Sequence, residues 1–369
     1  MTGPAIAELF DAGRRRAFRR KLLPWFRRHA RDLPWRRTRD PYAVWLSEIM
    51  LQQTQVATVR GYFDRFLARF PDITALAQAD ERDVLRLWEG LGYYRRARQL
   101  HQAARMVVSE YGGRFPRDMD SVRRLPGIGR YTAGAVLSIA FDLRTPILEA
   151  NTQRLLSRLC AYRADPRSAE GQRLLWQFAE LLLPRTAAGQ FNQALMELGS
   201  GVCTPRSPSC HECPVAALCE ARRLGLQGEI PTPQRRAPAT PVREAAVLLR
   251  RRGRVLLIRC PEGGRWAGLW DFPRVALEGT SPAERARELV AKVQSLTGAV
   301  MEPGELLHTI RHGVTRYRIT LECYAARCLA LGPPPAGAQM KWLRAAELAH
   351  YPLSTTGRKL ARWAGTSGR

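Results

Sequence analysis

The spacing of apolar residues changes near residue 242 and divides the chain into two kinds of sequence. Before that point, apolar residues recur three and four positions apart, as in helices that bury one face. After it, AAVLLRRRGRVLLIR predicts two strands around a turn at residues 251–253, and VTRYRITLECYAA predicts another strand. Ser281-Pro282-Ala283-Glu284 is a capping box with proline at the first helical position, which predicts a helix to about Leu296. We therefore predict an all-α domain followed by an α+β domain.

The two parts are joined by a stretch rich in proline, glycine and arginine, GLQGEIPTPQRRAPATP at residues 225–241. Such a composition is typical of a linker. A chain of 369 residues is also longer than one ordinary domain. We predict a helical domain at 1–224, a linker at 225–241 and a second domain at 242–369.

One acidic residue interrupts an apolar helix near the start of the chain. Asp40-Pro41 has the composition of an N-cap followed by a first-turn proline, and the helix after it, YAVWLSEIMLQQ, is apolar apart from Glu48. Glu48 either lies at an exposed helical position or is buried at a cost in free energy. A buried carboxyl has a raised pKa, which suits a general acid.

The stretch from Leu125 to Asn151, LPGIGRYTAGAVLSIAFDLRTPILEAN, opens with a glycine hairpin and continues as a predicted helix from about Arg130 to Phe141. Glycines at 127 and 129 allow successive backbone N–H groups to face one point beside the positive end of that helix, which is an arrangement that binds phosphate. Glu149 and Asn151 follow after a short loop, and we expect them near a nucleic-acid backbone. Helical sequence resumes from Thr152 to about Leu183.

The charge of the chain indicates a polyanionic partner. The net charge is +26 and the pI about 11, which favours nucleic acid, with a generally basic protein or a membrane-surface binder as alternatives. No apolar run is long enough to span a membrane, and we regard the basic N-terminal stretch as part of the first domain rather than a transit peptide. Between Lys21 and Lys292 there is no amine that could form a Schiff base.

Four of the eight cysteines are clustered within 17 residues. Both zinc and a [4Fe–4S] cluster bind four thiolates, but zinc sites more often contain two CxxC pairs. The unequal 6-2-5 spacing therefore favours the iron–sulfur cluster, with the ligands Cys203, Cys210, Cys213 and Cys219.

Several motifs together resemble the helix–hairpin–helix superfamily of base-excision DNA glycosylases, and within it the adenine DNA glycosylase (MutY) family. LPGIGRYTAGA resembles the helix–hairpin–helix itself, and the cysteine spacing resembles the branch that holds endonuclease III and MutY. The MutY-like motifs, in chain order, are LPWR at 33–36, WLSEIMLQQTQVATV at 45–59, GLGYYRRAR at 90–98, FNQALMELG at 191–199 and GLWDFP at 268–273. The similarity spans nearly the whole chain and implies a second domain with a MutT-like (Nudix) fold.

The resemblance implies a role for each matching residue. Glu48 would protonate adenine, Glu149 would stabilise the oxocarbenium-like sugar, and Asn151 and Tyr131 would orient the nucleotide and water. Glycoside hydrolases also use two carboxyl groups that flank the glycosidic bond. The remaining implied residues are Arg36 and Glu197 bonding the flipped adenine, Leu33, Trp35 and Val56 as its walls, Gln53 and Tyr93 as wedges in the duplex, Gly127 and Gly129 as phosphate ligands, and Thr315 and Arg316 as readers of 8-oxoguanine.

The chain departs from the family at two sites. The family has Asp-Gly-Asn where this chain has Glu149-Ala150-Asn151, which lengthens the acid by one methylene and restricts the backbone at Ala150 if its φ is positive. The family usually has Phe-Ser-His where this chain has Val314-Thr315-Arg316, so the aromatic ring is replaced. The helix of the second domain also lacks the full acidic set of a Nudix hydrolase, which agrees with reading a base rather than hydrolysing a nucleotide.

We therefore predict a monofunctional glycosylase that removes adenine opposite 8-oxoguanine or guanine from double-stranded DNA. The lysine that endonuclease III uses for strand cleavage corresponds here to Tyr131, so no Schiff-base lyase activity is expected. We expect a monomer in the bacterial cytoplasm, associated with the nucleoid and not with a membrane. The competing interpretations are a glycosylase with an altered base or opposite-base preference and a non-catalytic iron–sulfur protein that binds DNA.

Overall fold

The computed structural model describes residues 3–232 and 238–365, which form two compact units. One unit contains residues 3–78 and 99–232, and the other contains residues 79–98 and 238–365. The first is helical and the second mixes strands and helices, which confirms the predicted fold class. The predicted boundaries at 224 and 242 stay predictions. Residues 233–237 of the predicted linker lie outside the described residues, and residues 79–98 pack with the second unit.

Helices make up the regular structure described in the first unit. Their bounds are α1 Gly3–Leu9, α2 Ala12–His29, α3 Pro41–Leu51, α4 Val56–Arg69, α5 Ile73–Gln78, α7 Arg95–Tyr111, α8 Met119–Arg124, α9 Arg130–Phe141, α10 Ala150–Leu159, α11 Ala169–Leu182, α12 Ala188–Gly201 and α13 Glu220–Arg223, with short 3₁₀ turns at Pro34–Arg36 and Ala216–Leu218. The first four residues of α7 belong to the second unit. Within the described part of the chain, no helix is both long and apolar enough to cross a membrane.

Local chemistry explains where the helices of the site begin and end. Asp40 caps α3 by accepting from the backbone N–H groups of Tyr42 and Ala43, as its sequence predicts. Helix α9 has the predicted bounds. The predicted helical stretch 152–183 is instead two helices, because Ala161 has a φ of +50° and ends α10.

Close approach of the backbone explains one glycine of α9. A Cβ atom at Gly134 would lie 2.3 Å from the carbonyl oxygen of Pro146. Any larger residue would therefore push away the segment that leads into Glu149. The tight packing of this segment on α9 fixes the start of α10.

The second unit is built on a seven-stranded mixed sheet. Its elements are α6 Glu81–Leu87, β1 Thr240–Arg251, β2 Arg254–Arg259, β3 Trp270–Asp271, β4 Arg274–Ala276, α14 Pro282–Thr297, β5 Ala299–Val314, β6 Tyr317–Leu331, β7 Met340–Leu343 and α15 Thr355–Ala361, with a 3₁₀ helix at Ala345–His350.

The strand order is β3-β2-β1-β6-β5, with β4 paired to β1, β7 paired to β2, and β1 parallel to β6. Alternate residues of β1 contribute to two cores: Ala246 and Leu248 face one, and Ala245 and Val247 face the other, which α14 covers.

One strand prediction was wrong in its bounds. The stretch VTRYRITLECYAA is not a single strand: β5 ends at Val314, and β6 begins at Tyr317. The two residues between them form a hairpin turn, in which Thr315 has a φ of +51°. A left-handed residue reverses the chain there, although neither Thr315 nor Arg316 is a typical turn residue. The turn prediction at 251–253 and the capping box at Ser281 are confirmed.

Candidate active site

A cavity of about 260 Å³ in the first unit brings together most of the residues predicted to act on the nucleotide. It lies among α3, α9, α10 and α12, next to the 3₁₀ turn at Pro34–Arg36. The predicted residues that line it are Leu33, Trp35, Arg36, Glu48, Val56, Tyr131, Glu149 and Asn151. Residues far apart in the chain thus share one pocket, as the resemblance implies.

Glu48 lines this pocket and is buried, with 5% of its surface exposed. Its pKa is raised to about 7, chiefly by burial; a hydrogen bond from Tyr131 opposes this rise, and nearby Glu149 adds to it. The Tyr131 hydroxyl donates to Glu48 Oε2 over 2.6 Å and lies 3.3 Å from Met196 Sδ. Burial and the two acids raise the pKa of Tyr131 well above its ordinary value, so the hydroxyl keeps its proton. The structure therefore favours the buried-carboxyl interpretation of Glu48 over an exposed helical position.

Glu149 is the N-cap of α10. Its two carboxylate oxygens accept from the backbone N–H groups of Thr152 and Asn151, each over 2.8 Å. The Asn151 amide also donates to Glu149 Oε2 over 3.1 Å, and the Thr152 hydroxyl accepts from the Glu149 N–H. Ala150 is the first residue of the helix and is not among the residues with positive φ, so its methyl group causes no backbone strain.

Glu197 lies beside the pocket in an ion-pair cluster that the sequence did not reveal. Arg31 donates to both of its carboxylate oxygens, over 2.7 and 2.9 Å, and Arg36 donates over 2.7 Å. Burial would raise the pKa of Glu197, but these hydrogen bonds hold it below its ordinary value. The sequence did not identify Arg31 as a partner of Glu197, because it is one of many arginines in a basic stretch. Its position just before LPWR is the one sequence feature that could have indicated this role.

Arg154 connects the pocket to the cysteine-rich loop and was also missed. Its guanidinium donates to Asn151 Oδ1 over 2.9 Å, to the Gly199 carbonyl over 2.7 Å and to the Cys203 carbonyl over 2.8 Å. Asn151 in turn bonds Glu149. The orientation of both predicted active-site residues therefore depends on a buried arginine one helical turn away.

The four clustered cysteines line one small cavity of about 20 Å³. Arg158, only 2% exposed, donates to the carbonyls of Thr204 and Ile230 over 2.7 Å each, and its Nη1 lies 3.3 Å from Cys203 Sγ. Among the described residues, no three His, Cys, Asp or Glu side chains are grouped to hold a single metal ion. Four thiols around a common cavity, with a guanidinium beside one of them, fit a thiolate-bound cluster.

The glycine hairpin, which the sequence predicts as a phosphate site, turns at a left-handed glycine just before α9. Gly127 has a φ of +78°, and a Cβ atom there would lie 2.9 Å from the Gln99 side chain, so glycine is required. Gly129 is the N-cap of α9, and no side chain caps that helix. The first amides of α9 thus lack a side-chain acceptor.

The other predicted DNA-contacting residues lie outside the pocket. Gln53 is exposed between α3 and α4 with a φ of +57°, and Tyr93, in the second unit, is 46% exposed with a φ of +49°. Thr315 and Arg316 are exposed at the hairpin turn of the second unit. Non-glycine residues with positive φ are uncommon, and Gln53, Tyr93 and Thr315 are three of them.

Lysine is absent from the described residues that line the pocket, and Lys21 is exposed on α2. Tyr131, which stands at the sequence position of the endonuclease III lysine, lines the pocket. A phenol cannot form the imine that strand cleavage requires.

Comparison with known proteins agrees with this geometry. Residues 46–180 match the HhH-GPD superfamily of base excision DNA repair proteins, residues 203–219 match the iron–sulfur binding domain of endonuclease III, and residues 245–363 match the NUDIX domain. A solved structure of a thermostable thymine-DNA glycosylase is similar to 57% of this chain and 97% of its own, with 31% identity and a TM-score of 0.53. The fold and the site thus define a helix–hairpin–helix DNA glycosylase of base-excision repair, with an iron–sulfur domain and a Nudix-like domain.

The closer relatives identify the family. The adenine DNA glycosylase of Rattus norvegicus is 37% identical over 94% of this chain and 77% of its own length, and that of Homo sapiens is 36% identical over 94% and 73%. The chain belongs to the adenine DNA glycosylase family. This confirms the predicted resemblance, enzyme class and [4Fe–4S] cofactor.

Proposed function

We propose that this enzyme removes adenine mispaired with 8-oxoguanine or guanine in double-stranded DNA, by flipping the adenine into the pocket and hydrolysing its N-glycosidic bond. The observation that carries the proposal is Glu48. It is a buried carboxyl with a pKa of about 7, hydrogen-bonded by Tyr131, in the same pocket as a second carboxylate, Glu149.

Glu48 acts as the general acid. With a pKa of about 7 it is partly protonated at neutral pH, and it delivers its proton to adenine as the bond to the sugar breaks. Protonation makes the departing base a neutral leaving group. Tyr131 holds the carboxyl in one orientation by its 2.6 Å hydrogen bond.

Glu149 stabilises the positive charge that develops on the sugar, since an ionised carboxylate opposes an oxocarbenium-like centre. Asn151 orients that carboxylate through its backbone and side-chain N–H groups. Since no lysine is among the described residues that line the pocket, water is the final nucleophile, and the DNA strand is left intact at the abasic site.

The base is held by complementary polar groups on apolar walls. Glu197, kept ionised by Arg31 and Arg36, accepts hydrogen bonds, and Arg36 donates them. Leu33, Trp35 and Val56 form the walls. An adenine has both donors and acceptors at its edge. Glu197 can accept from the donors and Arg36 can donate to the acceptors, with neither side chain changing its charge.

The remaining assignments concern the DNA and the cofactor. Base flipping costs a few kcal/mol of unstacking, which wedge side chains offset by filling the gap. In this proposal Gln53 and Tyr93 are the wedges, the amides at Gly127 and Gly129 bind a phosphate, and the enzyme acts as a monomer in the bacterial cytoplasm at the nucleoid. Cys203, Cys210, Cys213 and Cys219 would hold the cluster, which would tie their loop together through iron–sulfur bonds.

Labelled duplexes with adenine opposite 8-oxoguanine, guanine or thymine test the proposal. We expect alkali-labile sites with the first two duplexes and intact strands without alkali. Absence of alkali-labile sites in every duplex would refute the enzyme assignment and favour a non-catalytic DNA-binding protein. Nicking without alkali would contradict the absence of lyase activity, and equal cleavage of all three would favour an altered opposite-base preference.

Glu48→Gln should abolish excision while leaving duplex binding intact. Glu180→Gln, the same change at a carboxyl that is 56% exposed on α11, is the matched control and should keep the parent rate. Parental turnover in Glu48→Gln would show that the general acid is a different residue.

A further inference from the structure

Arginine and aromatic side chains alternate in the second unit in a stack that ends at Arg316. The guanidinium carbon of Arg274 lies 4.0 Å from the Trp266 ring centroid, and that of Arg265 lies 5.0 Å from the same ring. Arg265 is also 5.1 Å from the Tyr317 ring, and Arg316 is 5.1 Å from it as well. These distances are within the range of cation–π contacts. We name these five residues the arginine–aromatic ladder.

The ladder is fixed at its inner end and exposed at its outer end. Glu244, which is 3% exposed, forms ion pairs with both Arg265 and Arg274. At the other end the guanidinium of Arg316 donates to the Tyr317 hydroxyl over 3.0 Å, and Arg316 itself is exposed. In the part of the chain that the structure describes, no carboxylate forms an ion pair with Arg316, so its charge is not neutralised within this unit.

We propose that Arg265 and Tyr317, together with Arg316, form the surface with which this chain distinguishes 8-oxoguanine from guanine. The inference rests on the proposed function, removal of adenine opposite 8-oxoguanine, and on the family resemblance, which implies that Arg316 reads the lesion. Its new content is that the ring absent at Val314 is supplied by Tyr317, and that Arg265 is a specificity residue.

The chemistry of the two bases supports this assignment. 8-Oxoguanine differs from guanine by a carbonyl oxygen at C8 and by an N–H donor at N7, where guanine has an acceptor. Guanidinium groups donate to carbonyl oxygens, and a tyrosine hydroxyl can both donate and accept. A pair of fixed arginines around a tyrosine therefore offers donors for the added oxygen and an acceptor for the added N–H.

The exposure of the outer residues separates this role from simple packing. The side chain of Arg265 is 34% exposed although it pairs with a buried glutamate, and its guanidinium contacts the two rings rather than a second acid. Loss of Arg265 leaves Glu244 paired with Arg274, so the fold should survive its substitution.

The test compares excision of adenine opposite 8-oxoguanine with excision opposite guanine, each as kcat/KM. We expect Arg265→Gln and Tyr317→Leu to lower the ratio of the two by about tenfold, within the range for a lost base contact. Tyr317→Phe keeps the ring and removes only the hydroxyl, so it should lose part of the preference and keep the parental unfolding temperature. Arg327→Gln, on the same strand β6 in an exposed ion pair with Glu302, is the matched control and should leave the ratio unchanged.

An unchanged ratio in Arg265→Gln and Tyr317→Leu overturns the inference. A parallel loss with both duplexes also overturns it, since that indicates a general role in folding or DNA binding. If the parent enzyme removes adenine from neither duplex, the proposed function itself fails; if it removes adenine without preferring 8-oxoguanine, only this inference fails.

Discussion

Replacement of Glu48 by glutamine removes both the free-energy cost of burying a carboxylate and the proton donor used in catalysis. The first effect is measured as stability and the second as the excision rate. The pKa of Glu48 rises from an ordinary value of 4.5 to about 7 in the folded protein. At about 1.4 kcal/mol for each pH unit, the ionised form therefore costs the fold about 3 kcal/mol. Glutamine has nearly the same shape, carries no charge, and its amide oxygen can still accept the Tyr131 hydrogen bond.

The sign of the effect follows from proton binding. Because the folded pKa is raised, the folded state holds a proton that the unfolded chain has lost between pH 4.5 and about 7. Glu48 therefore reduces stability progressively as the pH rises through that window, with the full cost present above about pH 7. The glutamine variant should unfold at a higher temperature than the parent at pH 8, and at nearly the same temperature at pH 4.5.

Two assays check this prediction on the cluster-containing protein. Thermal unfolding at pH 4.5 and pH 8 gives the change in midpoint, and single-turnover excision from pH 6 to 9 gives the rate. We expect the parent rate to fall as the pH rises above about 7, because the general acid loses its proton. Glu180→Gln again serves as the control, since its carboxyl is half exposed.

Equal unfolding temperatures of parent and Glu48→Gln at pH 8 would refute the burial argument. A parent rate that stays constant to pH 9 would refute the assignment of Glu48 as the titrating acid. The two outcomes are independent, so the structural and catalytic parts of the reasoning can fail separately.

Three further substitutions test the surroundings of this acid. Tyr131→Phe removes a hydrogen bond that lowers the pKa of Glu48, so the alkaline limb of the pH–rate profile should move to higher pH; a limb that stays in place would contradict this. Glu149→Asp restores the family residue and still caps a helix, so we expect a stability loss smaller than the roughly 1 kcal/mol of a missing cap and an excision rate at least as high as the parent's; a marked fall in rate would show that the longer acid is needed. Arg158→Gln leaves buried carbonyls of the cysteine-rich loop without donors, so the iron content of the purified protein should fall; full iron occupancy would argue against this support.

Local sequence chemistry predicted much of the fold. The bounds of α9 and the capped start of α3 follow from a glycine hairpin and an Asp-Pro pair. The break after α10 was missed because a left-handed alanine at 161 has no sequence signature. The hairpin at Thr315 was missed for the same reason, since an alternating strand pattern continues through it.

The pocket was predicted only in part, because contacts between distant residues are not visible in one sequence. Glu48 was notable as a lone acid in an apolar helix, a pattern that left an exposed and a buried position open, and the structure shows that it is buried. Arg31 and Arg154 were indistinguishable from the other arginines of a highly basic chain until the fold placed them against Glu197 and Asn151. An arginine is identified as functional by the residues that it contacts, and those contacts cannot be read from the sequence alone.

Glu149 combines two demands that oppose each other. As the cap of α10, its carboxylate is turned back onto the N–H groups of Asn151 and Thr152. As a catalytic group, the same carboxylate has to face an oxocarbenium-like sugar. Each carboxylate oxygen of Glu149 already accepts a backbone hydrogen bond from α10. The sugar therefore has to approach the side of the carboxylate that faces away from the helix. An aspartate would satisfy the cap closer to the backbone. The additional methylene of Glu149 therefore changes how far the carboxylate extends into the pocket.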